Sequence, residues 1–252
     1  MAADPKVAFI VAGVQKGGTT ALFDYLGDEP GLSLSREKEV HFFDDEDQDW
    51  AAPDYRAYHA QFGAADGRLR GEATPIYLYW PNSLERIAAY NAAVRLIVML
   101  RDPVERAWSH WKMEYARGVE TKPFAWCIRE GRQRLFAGER PRAQPWGFDR
   151  EVSYVERGFY GEQLERALRL FARDQLLILK SADLRADPGA TLGQVRAFLG
   201  LPQGPAPAHR EVHVGREMDY GAAPTAADIA HLRTVYARDA ERLADLAGIR
   251  FA

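Results

Sequence analysis

Three groups of residues carry the types and spacing needed for chemistry, and the first is Gly13-Val-Gln-Lys-Gly-Gly-Thr-Thr20. It follows a continuous apolar run and precedes Ala21-Leu-Phe-Asp-Tyr-Leu26, whose apolar residues recur at helical spacing. Glycines let a backbone approach a ligand closely. Amides at a helix N-terminus carry about half a positive charge and point at whatever sits there. A strand, a glycine-rich turn and a helix opened by two hydroxyls therefore make a phosphate site, to which Lys16 adds a full charge. The plain alternative is a structural strand-to-helix turn. The loop is not a Walker A motif, in which Lys and then Ser or Thr follow the last glycine. Here Thr19 follows Gly18 and the lysine precedes the glycine pair. The strand at 95–100 ends in Arg101-Asp102, with no isolated acidic residue at its tip for magnesium, so metal-dependent triphosphate hydrolysis is disfavoured.

The second group is Leu100-Arg-Asp-Pro-Val-Glu-Arg-Ala-Trp-Ser109. Ligands of open parallel sheets bind at the carboxyl ends of strands, which is where Arg101 stands, and Ser109 lies two helical turns after Pro103. An arginine and a hydroxyl suit a second phosphate, whereas Arg106 is read as a structural ion pair or cap. Two phosphate sites on adjacent strand ends call for a ligand with phosphates on both sides of a ribose. The third group is Ser35-Arg-Glu-Lys-Glu-Val-His-Phe-Phe-Asp44. If it is extended, alternation places Glu37, Glu39 and His41 on one side and Val40 and Phe42 on the other. A carboxylate beside an imidazole can take a proton from an acceptor hydroxyl or amine. The same pair is also a common structural hydrogen bond.

The elements that must hold these groups follow from hydrophobic patterning. Lys6–Ala12, Arg95–Leu100 and Gln175–Leu179 are β-rich apolar runs, expected of parallel strands covered on both faces. Helices are expected at about 82–90, from Pro103, at 161–171, at 189–199, and from an N-cap at Thr225 to a stop at Gly248. Strands alternating with helices give an α/β fold, a central parallel sheet flanked by helices around a P-loop-like strand, loop and helix. No linker or internal repeat divides the chain, so residues 1–252 are read as a single domain. The acidic run Asp44–Asp49 is read as a solvated loop, and Arg129–Arg150 as an exposed loop or lid. Trp108, Trp111, Trp126 and Trp146 are read as packing residues, with stacking on an acceptor as the alternative.

Composition sets the outer bounds. Hydrophobic residues at 47% and charged residues at 27% of 252 are ordinary for a folded globular chain, which excludes wholesale disorder and a membrane bundle. A net charge of −3 lacks the basic field of a general nucleic-acid binder. Cys127 is the sole cysteine, which rules out an internal disulfide or a cysteine-based zinc cluster and fits a reducing compartment. The longest apolar run, Val7–Val14, falls well short of the ~20 residues of a membrane span.

Taken together, Gly13–Thr20, Glu39-Val-His-Phe-Phe43, Gly71-Glu-Ala-Thr-Pro-Ile-Tyr77 and Arg101–Ser109 closely resemble the sulfotransferases that use 3′-phosphoadenosine 5′-phosphosulfate (PAPS). The likeness is greatest to the branch that holds the heparan sulfate sulfotransferases and many bacterial relatives, and it runs in order from about Val7 to Leu201. It implies that Lys16, Gly17, Gly18, Thr19 and Thr20 hold the 5′-phosphosulfate and that Arg101 and Ser109 bind the 3′-phosphate. Glu39 matches the family's catalytic base, with Lys16 and His41 as its catalytic companions, and His41 and Asp44 match positions lining the acceptor site. Gly158-Phe-Tyr-Gly-Glu-Gln-Leu164 resembles a segment whose tyrosine, here Tyr160, lies near the nucleotide. Val214-Gly-Arg216 resembles a Lys-Gly-Arg loop, so that Gly215 and Arg216 would close over the nucleotide; Val214 departs from it. Ala73 stands where the 3-O-sulfating members have lysine, removing one cationic contact.

The resemblance thus implies sulfuryl transfer from PAPS, with no metal, to a hydroxyl of a small or medium acceptor: a secondary metabolite, glycolipid or oligosaccharide. The acidic run after Glu39 would repel a polyanionic glycan, and the Arg-rich stretch at 129–150 would attract one. No nucleic-acid partner and no membrane span are expected, and the missing cysteine pair, anchor and stem of Golgi members point to a cytoplasmic bacterial-type protein. A small-molecule kinase of P-loop type and a non-catalytic nucleotide-binding relative are the rival readings.

Overall fold

The computed structural model describes residues 5–135, 147–210 and 218–251. In chain order its strands and helices are β1 (Phe9–Gly13), α1 (Thr19–Leu26), β2 (Leu32–Leu34), α2 (Arg56–His59), β3 (Leu69–Ala73), α3 (Ser83–Tyr90), β4 (Arg95–Leu100), α4 (Pro103–Ala116), α5 (Phe124–Cys127), α6 (Phe148–Val152), α7 (Tyr160–Leu170), β5 (Leu176–Lys180), α8 (Ser181–Ala186), α9 (Pro188–Leu199) and α10 (Ala226–Ala247). The chain divides into two compact units, Met1–Arg101 with Ala167–His213, and Asp102–Arg166 with Val214–Ala252.

The first unit holds a five-stranded sheet in the order β2-β3-β1-β4-β5, parallel throughout. β1 lies at its centre with every residue buried, as its unbroken apolar run requires. The register sets Phe9 opposite Gly71 on one side and Arg95 on the other. Phe9, Val11, Ile97, Met99 and Leu179 face α1, α8 and α9, whose Leu22, Leu26, Leu184, Leu192, Val195 and Leu199 complete one apolar core. Strands β1, β4 and β5 follow the sequence pattern. β2 and β3 do not announce themselves, because Leu69-Arg-Gly-Glu-Ala73 carries a glycine and two charges yet is buried from Arg70 onward. Gly71 is dictated by its neighbour: a Cβ there would lie 2.0 Å from the Phe9 ring.

The second unit is helical, built on Val104, Ala107, Trp111, Phe124, Ile128, Tyr154, Val155, Leu232 and Tyr236. Its helices start where capping residues demand. Asp102 Oδ1 accepts the amides of Val104 (2.9 Å) and Glu105 (3.1 Å), with Pro103 in the first turn. Thr225 and Asp228 form a reciprocal capping box on α10, and Gly248 ends that helix at φ +67°. The 129–150 stretch departs from the open loop expected of it. Glu130–Leu135 is a 3-10 turn, Arg132 pairs with Glu156 and Arg134 with Glu120, and α6 begins at Phe148. Residues 136–146, Trp146 among them, lie outside the described residues.

Candidate active site

The loop between β1 and α1 is shaped by Gly17 and Gly18. Val14 donates its amide to the Met99 carbonyl of β4 at 3.0 Å, and Gly17 donates to the Val14 carbonyl at 2.8 Å. A Cβ on Gly17 would sit 2.3 Å from the Met99 oxygen, so only glycine lets the turn close this tightly onto β4. Gly18 caps α1 at φ +92°, a left-handed backbone natural to glycine, and Lys16 shares that region at φ +66°. The loop so delivers the first amides of α1, which have no partner within the helix, together with the half-buried Lys16 and Thr20 and the buried Thr19. Arg101 follows β4 two residues beyond Met99 and is half-buried. Chemically, this end of the sheet is built for an anion. Ser181, first residue of α8, was not singled out by the sequence; its Cβ lies 3.3 Å from where a Gly18 side chain would begin.

The second part of the site is the stretch from Ser35 to Asp44, which is not the extended strand that alternation assumed. Glu39 and His41 have φ of +64° and +54°, so the backbone turns at both. The outcome still joins them: His41 Nε2 lies 3.6 Å from Glu39 Oε2, and His41 Nδ1 lies 2.8 Å from Asp44 Oδ2. Glu37 takes no part and is exposed. Lys38 donates its ammonium to Glu39 Oε1. Glu39 donates its amide to the Ala73 carbonyl at 2.9 Å, which seats the turn on the end of β3. Phe42 stacks on Tyr58 with ring centroids 4.9 Å apart.

Electrostatics fix the charge state of this array. Burial pushes the Glu39 carboxyl up, but the His41 hydrogen bond and the charge and hydrogen bond of Lys38 outweigh it and leave its pKa lowered to about 2. Burial likewise works against the His41 imidazolium, while Asp44 and Glu39 raise its pKa to about 9. At neutral pH Glu39 is therefore a carboxylate and His41 an imidazolium, held on its other side by Asp44. Asp44 is wholly buried, which corrects the solvated reading of the acidic run at that residue. Glu46 departs from it too, accepting from Trp80 Nε1 and from the Arg86 guanidinium, while Asp47 and Asp49 are exposed.

Behind the array stands a group that sequence reasoning passed over. Glu72 on β3 is fully buried; its Oε1 accepts from the Tyr58 hydroxyl at 2.8 Å and its Oε2 from the Thr74 hydroxyl at 2.6 Å. Burial and then the charge of Glu72 raise the pKa of the Tyr77 hydroxyl, which accepts the Phe42 amide at 3.0 Å. The only signal was the motif Gly71–Tyr77, quoted above without a task for its glutamate or tyrosine.

In the second unit, Ser109 is half-buried on α4. Arg106 is wholly buried and donates to the Tyr154 carbonyl, the structural role expected of it. Trp108 and Trp111 stack with centroids 4.9 Å apart, and Trp111 is buried against Phe124, so packing accounts for both. Tyr160 opens α7, buried, with its ring 6.3 Å from that of Phe251. Val214, Gly215 and Arg216 lie outside the described residues. Among the described residues no cluster of three or more His, Cys, Asp or Glu is disposed to hold a metal ion, and no helix is long and apolar enough to cross a membrane.

Comparison with known proteins places this geometry. Human heparan sulfate glucosamine 3-O-sulfotransferase 3B1 is 33% identical over 195 residues, covering 76% of this chain and 45% of the human protein. The mouse heparan sulfate glucosamine 3-O-sulfotransferase 6 is 32% identical over 195 residues, 76% of this chain and 52% of its own. The chain spans about half the length of the curated relatives it matches. In fold it is similar to a sulfotransferase from Alicyclobacillus acidocaldarius, with TM-score 0.80, 24% identity and 98% of each chain covered. A sulfotransferase domain from the Synechococcus PCC 7002 olefin synthase aligns with TM-score 0.52 at 16% identity over 79% of this chain and 74% of that one. The pattern of the sulfotransferase domain matches residues 6–214, a stretch that takes in the glycine-paired loop and the Glu39–His41 turn, and the chain belongs to that family.

Proposed function

We propose that the protein moves a sulfuryl group from PAPS to a hydroxyl of a small or medium, uncharged acceptor, a secondary metabolite, glycolipid or oligosaccharide. The observation that carries this reading is the pairing, within one unit, of an anion-binding loop with a carboxylate held ionised by its neighbours. In the reaction the acceptor oxygen bonds to sulfur while the bond from sulfur to the phosphate oxygen breaks, its electron pair going to the bisphosphate and the hydroxyl proton to Glu39. Lys16 and the amides of Gly17, Gly18, Thr19 and Thr20 stabilise the charge that grows on the leaving oxygen. A carboxylate with a pKa near 2 cannot strip a free hydroxyl. It accepts the proton once the oxygen has begun to bond to sulfur and become acidic, so transfer is late and His41 keeps Glu39 aimed until then. Catalysis in this reading is chiefly positioning and electrostatics.

Following the family motif, we assign Arg101 and Ser109 to the 3′-phosphate, Tyr160 to the nucleotide, and Gly215 and Arg216 to the loop that closes over it. The exposed Asp47 and Asp49 near the base favour an uncharged acceptor over a polyanion. The single cysteine suits a reducing compartment, and we place the reaction in a bacterial-type cytoplasm, carried out by residues 1–252 as one functional domain.

The test is thermal unfolding with 3′,5′-bisphosphoadenosine, with AMP, and with ATP plus magnesium. A ligand at 100 times its Kd adds ~2.7 kcal/mol, or roughly 5–10 °C for a chain of this size. Selective stabilisation by the bisphosphate is expected, followed by sulfuryl transfer from PAPS in an acceptor screen. A response to ATP with magnesium alone would overturn the reading in favour of a kinase. Bisphosphate binding with no transfer to any acceptor would leave a non-catalytic nucleotide binder.

A further inference from the structure

Glu72 is a buried carboxyl for which the transfer chemistry has no direct use, and its surroundings lead straight to the groups that do the chemistry. It lies on β3 opposite Ile10 of the central strand, with no exposed surface. A carboxyl there is costly unless hydrogen-bonded. Two hydroxyls donate to it, from Tyr58 of α2 and from Thr74. The Tyr58 ring in turn packs on Phe42 and Phe43, with centroids 4.9 and 5.0 Å apart, and the Tyr77 oxygen accepts the Phe42 amide at 3.0 Å, with the Phe43 amide at 3.4 Å. Those two residues are the whole of the chain between His41 and Asp44. At the other end of the turn, the amide of Glu39 goes to the carbonyl of Ala73, the residue after Glu72. The turn from 39 to 43 is therefore hung at both ends on the segment 73–77. Two of its residues, Glu39 and His41, hold left-handed backbones that side-chain-bearing residues keep only when their surroundings impose them.

We propose that Glu72 is a positioning residue of the transfer reaction: it fixes the hydroxyl of Tyr58, whose ring seats Phe42 and Phe43, and so holds the His41 imidazole between Asp44 and Glu39. The proposal rests on the reading of Glu39 as the base, but its geometry can be tested apart from turnover. The titratable groups facing this network are Lys38, Glu39, His41 and Asp44 from the turn, Tyr58 and His59 from α2, Tyr77 after β3, and Tyr90 from α3.

The experiment uses the full chain and two variants, Tyr58→Phe and Glu72→Gln. Tyr58→Phe removes the hydroxyl that Glu72 holds and leaves the ring in the core, so it decides the matter if Glu72→Gln does not fold. The readout is the titration of His41 by NMR on protein labelled at its six histidines, with the His41 signal assigned from a His41→Asn spectrum. In the wild type the midpoint is expected near pH 9, and in both variants lower by at least ~1 pH unit as the imidazole loses its fixed place beside Asp44. Stabilisation by 3′,5′-bisphosphoadenosine is expected to persist, and kcat to fall ~10- to 100-fold with the donor KM little changed. A His41 midpoint that does not move in a folded variant overturns the proposal, whatever the turnover. A midpoint that moves in a protein whose wild type transfers no sulfuryl group would uphold the clamp and sink the transfer reading instead.

Discussion

Glu39 sits between an ammonium and an imidazolium, and this sandwich decides what the residue can do. It stays ionised at any physiological pH, and it accepts a proton only from an oxygen that is already forming its bond to sulfur. Replacing it by the isosteric amide keeps the shape and removes the acceptor lone pair that matters. Glu39→Gln is thus expected to bind 3′,5′-bisphosphoadenosine as the wild type does, and to lose at least ~10²-fold in kcat when initial rates with PAPS are compared. Wild-type rates in that variant would end the assignment. At this scale the sequence shows residue types well and geometry poorly. Glu39, His41 and Asp44 stand within one short window, but their convergence depends on two left-handed backbones and on the Ala73 carbonyl that accepts the Glu39 amide. Neither glutamate nor histidine advertises a positive φ, so alternation put Glu37 into the site and left Asp44 in a solvated run. Glu72 went unread because a carboxyl is noticed by its partners, and Tyr58 is fourteen residues away.

The elements were legible where burial is uniform and capping is local. β1, β4 and β5 are unbroken apolar runs, and α4 and α10 begin at Asp102 and Thr225, whose side chains take the first amides. β3 was not, since its glycine answers to the Phe9 ring across the sheet and its glutamate to hydroxyls elsewhere. The turn after β1 provides the sharpest test. Gly17→Ala would put a methyl 2.3 Å from a backbone oxygen and 2.8 Å from Val14 Cγ2, contacts that only a shift of the loop off β4 relieves. It is expected to destabilise by roughly 1–3 kcal/mol in urea and to abolish the thermal response to the bisphosphate. Gly18→Ala meets its nearest atom at 3.3 Å and is strained by its φ instead, with an expected loss of ~1–2 kcal/mol. In the second unit, Asp102→Ala strips the one oxygen that accepts two amides and the partner of Arg233, and about 1–2 kcal/mol should disappear by the same measurement.

Over the whole molecule these local charges add up to a pH dependence with a definite sign. Glu39 titrates lower when folded, about 2 against 4.5, so its contribution is present above pH 4.5 and lost as pH falls through about 2. Glu72 titrates higher, about 7 against 4.5, because burial outweighs its hydroxyl donors; its contribution is complete below pH 4.5 and lost as pH rises through about 7. His41 also titrates higher, about 9 against 6.5, and its share is complete below pH 6.5 and lost as pH rises through about 9. Both raised groups act in the same direction, and a chain of net charge −3 gains further self-repulsion as it loses protons. Unfolding free energy measured in urea should therefore be greatest at mildly acidic pH and decline steadily toward pH 9. His41 would account for on the order of 1–3 kcal/mol of the decline, the lower end being favoured because Glu39 is partly exposed and screened. Glu72→Gln should flatten the slope between pH 4.5 and 7 and end the decline above it at a lower pH, as the His41 midpoint falls, whereas His41→Asn should flatten the slope between 6.5 and 9. A profile that rises throughout pH 4.5 to 9 would mean that neither group gains its proton on folding, and that the charged array around Glu39 does not persist in solution.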